Sequence, residues 1–308
     1  MSESNYDPSS SSDDPCLLST LKGHQQSITD IAFRPEKNQV ATSSKDKTVM
    51  LWNLDTNTRS FNFSGHSDSV TGVDFSCDGS IMATCSKDQH VRLWTPTIKG
   101  NSNSFKAHLT TVNSVNFAPD SSSLITAAND KNIKAWCTAT RQFLCSYTGH
   151  NNWVKCAKYS TEGTFIASCA DDHSVKIWDP SSCKCEQTLT SKYNPVHIAV
   201  HKNGTIVAAA TESGRVNIYD IRNGKLQQRY IIHEGNANYV SWHPDANYLL
   251  SCGDDGKISI IDVVEGRPLY TLIGHEGPVT ACKFSLDGSH FVSVGADHCV
   301  MIWKTNFI

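Results

Sequence analysis

Residues that close an apolar run recur through this chain at a nearly fixed interval. Trp52, Trp94, Trp136, Trp178, Tyr219, Ile261 and Trp303 are separated by 42, 42, 42, 41, 42 and 42 residues. Such a period constrains the architecture before any segment is assigned. Each copy is one supersecondary unit that buries its apolar surface only by stacking on its neighbours. A histidine, usually after glycine, stands 28 residues before six of these positions, at His24, His66, His108, His150, His233 and His275. The fifth copy alone departs, with Ser191 in the histidine's place.

Within a copy, apolar residues stand four, seven and nine places after the histidine, as in Val70, Val73 and Phe75. A step of three among period-2 positions predicts a bulge in a first strand. Turns such as "CDGS" and "LDGS" follow, then a second strand such as "IMATCS". A third strand ends at the aromatic residue, and a fourth, such as "RSFNFS" or "PLYTLI", leads to the next histidine. Four short strands per period describe a blade of a β-propeller. Seven copies predict an all-β, seven-bladed ring of four-stranded antiparallel blades. The last copy runs only five residues past Trp303, whereas "CLLSTLKGH" at 16–24 reads as a fourth strand with no blade before it. The two are expected to meet, so that the first strand of the chain completes the last blade. Residues 15–308 would then form a single domain. Residues 1–14, rich in Ser, Asp and Pro, are expected to be a disordered tail.

Composition narrows the function classes. A formal net charge of −3 gives no basic excess to drive nucleic-acid binding. No apolar run approaches the roughly 20 residues of a membrane span. The N-terminus lacks the basic start and apolar centre of a secretory signal. The twelve cysteines are therefore expected to be cytoplasmic free thiols, mostly small core residues such as Cys85, Cys156, Cys169, Cys252 and Cys282. Cys183 and Cys185 have no second Cys or His pair at zinc-ligand spacing. No metal or other cofactor is expected.

Six residues before the strand-end positions stand Asp46, Asp88, Asp130, Asp172, Asp255 and Asp297; four before those stand Thr42, Thr84, Thr126, Ser168, Ser251 and Ser293. Histidine, hydroxyl and carboxylate are the ingredients of a nucleophilic triad. Six copies in one register argue instead for a structural device. The indoles of Trp52, Trp94, Trp136, Trp178 and Trp303 can donate to the hydroxyls, satisfying every polar atom. Blade six keeps His233, Ser251 and Asp255 and loses only the indole, at Ile261. Blade five has Ser191, Ala209, Ser213 and Tyr219 at the four positions and is expected to lack any cross-link. His201 and His243 read as turn residues. Phosphate-binding loop, dinucleotide and metalloprotease patterns are missing, and no enzymatic activity is expected.

Function in such a ring is expected on the loops of one face. The residues before the carboxylates should point there: Lys45, Lys87, Asn129, Asp171, Glu212, Asp254 and Ala296, basic in the first two blades and acidic in the fourth to sixth. Trp153, three residues after His150, stands where other copies have Ser27, Ser69, Thr111, Asn194, Asn236 and Pro278. An aromatic residue at a small or polar position reads as an interface anchor, with Lys155 beside it.

These residues resemble the WD-repeat family over 16–308. More narrowly, "VRLWTPTIKGNSNSFKAH" (91–108), "HNNWVKCAKYS" (150–160), "EGRPLYTLIGHEGPVTACKFS" (265–285) and "MIWKTNF" (301–307) resemble the proteome-of-centriole proteins. The resemblance implies a protein-interaction scaffold of centrioles and ciliary basal bodies that supports centriole assembly and stability and cilium formation. It also implies a place on the cytoplasmic cytoskeleton and partners among centriolar proteins, with the tubulin wall met directly or through an intermediary. Members of that family continue into a coiled coil, so this propeller alone is expected to be monomeric. An alternative, also non-catalytic, is a substrate-receptor or adaptor subunit of a ubiquitin ligase or chromatin complex.

Overall fold

A computed structural model describes residues 14–97 and 101–306. The tail expected at 1–14 lies, except for Asp14, outside the described residues. Seven four-stranded antiparallel sheets form the blades of the ring. Their inner strands are Ile28–Arg34, Val70–Phe75, Val112–Phe117, Val154–Tyr159, Pro195–Val200, Ala237–Trp242 and Val279–Phe284. Each inner strand carries a register shift after its first residue, as between Val70 and Gly72, which accounts for the three-residue step in the sequence.

Burial follows from stacking blade on blade. The second strands are covered on both faces, so Met82–Ser86 and Ile166–Ala170 are buried at every position and read as continuous apolar or small runs. Outer strands are covered on one edge only; in Cys16–Lys22 only Leu21 is fully buried. The core consequently sits between blades. One cluster joins Leu51, Phe63 and Val70 to Met82 and Trp94, and another joins Ile125 and Tyr147 to Val154 and Trp178. Burying one such large side chain contributes about 1.5–3 kcal/mol.

Closure is by the first strand. Cys16–Lys22 pairs antiparallel with Cys299–Lys304, placing Leu17 opposite Trp303 and Leu21 opposite Val300. The amide of Asn306 donates to the carbonyl of Asp14 at 2.7 Å just beyond this pairing.

The turn after each second strand has a left-handed residue in all seven blades: Lys47, Gln89, Lys131, His173, Gly214, Gly256 and His298, with φ between 61° and 75°. His173 thus serves a turn. At Gly214 the conformation is reinforced by crowding, since a Cβ there would meet the His233 carbonyl oxygen at 2.0 Å.

The cysteines divide more evenly than expected. Cys85, Cys156, Cys169, Cys252, Cys282 and Cys299 are buried, Cys137, Cys145 and Cys183 half-buried, and Cys16, Cys77 and Cys185 exposed. The exposed ones lie at strand ends, turns and outer strands, which no neighbouring blade covers.

Candidate protein-interaction face

Six blades share one side-chain network. In blade one, His24 Nδ1 meets Asp46 at 2.8 Å, His24 Nε2 meets the Thr42 hydroxyl at 2.8 Å, and the Trp52 indole donates to that hydroxyl at 2.8 Å. The same geometry holds for His66, Asp88, Thr84 and Trp94, and for His108, Asp130, Thr126 and Trp136. It recurs with serine for His150, Asp172, Ser168 and Trp178, and for His275, Asp297, Ser293 and Trp303. His233, Asp255 and Ser251 repeat it without an indole.

Because the indole occupies the hydroxyl's acceptor side, the hydroxyl donates to Nε2 and the proton on Nδ1 goes to the carboxylate. Atom for atom this is a triad, but all six hydroxyls are fully buried. The network ties the loop before the first strand to the turn after the second.

Burial opposes ionisation of Asp46, Asp88, Asp130 and Asp172. Hydrogen bonds from the imidazoles, from Thr48 and Ser174, and from backbone amides overcome it and hold all four below the usual carboxylate range. His150 and His233 move the other way: burial lowers both, and the facing carboxylates restore only part of the loss.

Blade five corrects the expectation that nothing cross-links it. Ser191, Ala209, Ser213 and Tyr219 cannot rebuild the network, but Asn217 takes over its centre. Its amide nitrogen donates to the Tyr219 hydroxyl at 3.1 Å and to the Ser191 hydroxyl at 3.4 Å, while its oxygen accepts from Arg229 at 3.2 Å. Ser213 instead meets Thr211 at 3.1 Å.

Two sets of residues are paired alike in all seven blades. In every blade the backbone N–H of the residue before the carboxylate position donates to the loop residue three places after the histidine position: Lys45 to Ser27, Lys87 to Ser69, Asn129 to Thr111, Asp171 to Trp153, Glu212 to Asn194, Asp254 to Asn236 and Ala296 to Pro278. Lys45, Lys87, Glu212 and Asp254 are exposed, and Asn129, Asp171 and Ala296 half-buried.

A belt of side-chain hydrogen bonds, which the sequence pattern did not reveal, runs beneath this face from blade to blade. Thr29 donates to the Val70 carbonyl, Thr71 to Val112, Asn113 to Val154, Asn238 to Val279 and Thr280 to Ile28. At the corresponding positions of blades four and five, Lys155 and Val196 interrupt it.

Lys155 bonds Asp171 at 2.9 Å instead and lies 5.4 Å from the centre of the Trp153 ring. Asp171 is therefore neutralised in place, and the acidic arc expected over blades four to six is reduced to Glu212 and Asp254. Trp153 is 48% exposed, and Leu109 on the neighbouring loop 76%. Asp171 Oδ1 and Asn194 Oδ1 are buried acceptors without a donor among the described residues. Tyr193 lies between them in sequence, with the Arg215 guanidinium 4.5 Å from its ring centre.

His201 and His243 lie elsewhere. Each bridges to the next blade through Nε2, to the carbonyls of Ala246 and Gly288. Cys183 packs inward against the core between blades three and four, while Cys185 faces solvent.

The family model for "WD domain, G-beta repeat" matches residues 15–53, 57–95, 100–137, 141–179, 183–220, 224–262 and 266–304, so the chain belongs to that family. A "CXCXC repeat" model also matches 175–186, where the chain supplies Cys183 and Cys185. Curated relatives match over a shorter stretch. POC1 centriolar protein homolog B of Xenopus laevis is 44% identical over 51 residues, 17% of this chain and 11% of that protein. POC1 centriolar protein homolog A of Danio rerio is 42% identical over 53 residues, 17% and 13%. POC1 centriolar protein homolog of Drosophila melanogaster is 45% identical over 51 residues, again 17% and 13%. The match thus spans little more than a tenth of these relatives' length.

Proposed function

We propose that this propeller is a non-catalytic protein-interaction scaffold of the centriole and ciliary basal body. In this reading it supports centriole assembly and stability and cilium formation. A WD-repeat ring is a general protein-binding architecture, and the relatives' names supply the centriolar context. The observation that carries the reading is the surface at blades three and four: Trp153 half out in solvent, with Lys155 5.4 Å from its ring centre and Leu109 exposed on the neighbouring loop. A partner that presents an apolar group covers the indole and removes that surface from water. The partner is a centriolar protein, and the tubulin wall is reached directly or through it.

The test is to express the tagged chain in a ciliated cell and compare it with Trp153→Ala. Wild-type signal at centrioles and basal bodies, diminished by the substitution, is the expected result. Diffuse wild-type signal removes the centriolar reading, and undiminished recruitment of the variant removes Trp153 from the surface.

A further inference from the structure

The channel through the ring is divided at its waist. The imidazole of His197 stacks on the Tyr239 ring, with centroids 3.6 Å apart and planes at 18°, and both side chains line the space above and the space below. The lower chamber has a volume of about 240 Å³. Lys158 enters it from blade four and Lys283 from blade seven, and no carboxylate lines it.

Neither ammonium is paired. The lysines in ion pairs among the described residues are Lys134, Lys155 and Lys257. Lys158 has counter-charge at hand, since it also lines the upper space together with Asp30. Although burial lowers its ammonium, Cys156, Asp74 and Asp30 more than offset this and raise it above its ordinary value. Asp74 accepts from the Asn116 amide at 2.8 Å and the Phe117 N–H at 2.9 Å. Asp30 accepts from the N–H groups of Ile31 and Val73, at 2.8 Å and 3.1 Å. Burial pushes the Lys283 ammonium below its ordinary value; Asp74 offsets part of this and Lys158 adds to it.

Two other polar side chains of the lining, His197 and Ser241, also have a proton to give. His197 Nδ1 accepts from the Val240 N–H at 3.4 Å, so the ring proton sits on Nε2. Burial, with Lys158 and Lys283 nearby, drives His197 far below its ordinary value and keeps it neutral. The Ser241 oxygen accepts from the Phe284 N–H at 3.5 Å, leaving its proton to give. Two ammoniums, a hydroxyl and an imidazole N–H therefore line one chamber with no acceptor assigned to any of them.

We propose that the lower chamber of the channel is an anion site for a phosphate group, held between Lys158 and Lys283 with Ser241 and His197 as neutral donors. A tetrahedral oxyanion offers enough oxygens for four donors approaching from different blades, whereas a carboxylate offers two. Its charge also answers the Lys283 ammonium, which burial and the nearby Lys158 disfavour. The phosphate comes either as the free ion or as a monoester on a partner's side chain. This site is independent of the surface around Trp153, so the two readings fail separately.

The test is calorimetric titration of the folded chain at pH 7.5 with inorganic phosphate and with a phosphoserine peptide, chloride at matched ionic strength serving as the blank. One saturable site, weakened at least about tenfold in Lys158→Met and in Lys283→Met, is the expected outcome. Tighter binding of the peptide or of the ion identifies the source, and either result supports the site. Should a lysine variant fail to fold, weaker binding by Ser241→Ala and displacement of phosphate by sulfate, followed by phosphorus-31 line width, carry the same test. Absence of saturable binding to the wild-type chain below about 10 mM, or binding unchanged in the variants, overturns the proposal.

Discussion

The side-chain amide of Asn217 reaches the Ser191 hydroxyl at 3.4 Å, spanning the place where the other six blades hold a histidine against an aspartate. Blade five has replaced the histidine–carboxylate network with one centred on an amide, which Arg229 also joins. A half-kept network would have left an imidazole or carboxylate buried without its partner, which costs more than removing the whole set.

This contrast gives a stability prediction. Asp172→Ala in blade four leaves the His150 Nδ1 proton without its acceptor and is expected to destabilise by about 1–3 kcal/mol. Ser213→Ala, at the same position of blade five, removes only a contact to Thr211, which keeps its bond to the Arg215 carbonyl. It is expected to be near neutral. Urea unfolding midpoints decide the matter: equal losses in the two variants would show that the network carries no special stability.

The network and the ring were legible in the sequence because both rest on constant spacings. Histidine to hydroxyl is 18 residues and histidine to carboxylate 22 in all six blades, and any strand-by-strand fold of period 42 superimposes them. Asn217 was not legible, because it enters from a position that no intact blade uses for this purpose. The belt was hidden for another reason: Thr29, Asn113 and Thr280 bond to backbone carbonyls of the next blade, and a carbonyl leaves no residue-type signature. The Lys155 pairing with Asp171 was equally silent, since opposite charges 16 positions apart mark nothing until the strands are laid side by side.

Trp153→Ala is expected to leave the unfolding temperature almost unchanged, because a side chain already 48% exposed gives up little burial, while partner recruitment falls. Lys155→Glu is a poorer probe of the same surface. It would set a second carboxylate against Asp171, whose Oδ1 already lacks a donor. A fall of several degrees in the Trp153→Ala variant would show that the indole is structural.

Removing residues 1–14 leaves Cys16–Lys22 in place and is expected to be nearly silent. Removing 1–22 strips the strand that pairs with Cys299–Lys304 and exposes an unpaired edge beside Trp303. Aggregation or a much lower melting temperature is expected only of the longer deletion. Indistinguishable melting curves for the two would contradict the closure.

Stability should fall on acidification in two stages. His150, His197, His201, His233 and His243 all have folded pKa values lowered by burial. Protonation therefore favours the unfolded chain, and their contribution, complete above about pH 6.5, is lost as pH falls through the lowered values. Asp46, Asp88, Asp130 and Asp172 are held below the ordinary carboxylate range, so their contribution persists to about pH 4 and is lost beneath it. Melting temperature measured from pH 8 to pH 3 should decline first below about 6.5 and again below about 4. A flat profile between pH 7 and pH 5 would mean that the buried histidines do not take up their protons on unfolding.

The seam between blades four and five should open before any other. Elsewhere, neighbouring inner strands are tied by side chains to backbone, as Asp30 ties Val73, Asp74 ties Phe117, Ser114 ties Ala157, and Asn238 ties the Val279 carbonyl. At the seam between four and five the belt is broken by Lys155. Among the described residues, the tie that remains is a weak one, from the Ile198 N–H to the Cys156 thiol. Fewer directional bonds lower the local opening free energy. Native-state hydrogen exchange should therefore find the amides of residues 196–200 less protected than those of Val112–Phe117, and a fall in protection of both strands of the seam together. Protection as high at Ile198 as at Val115 would show that packing alone holds this seam as firmly as hydrogen bonds hold the others.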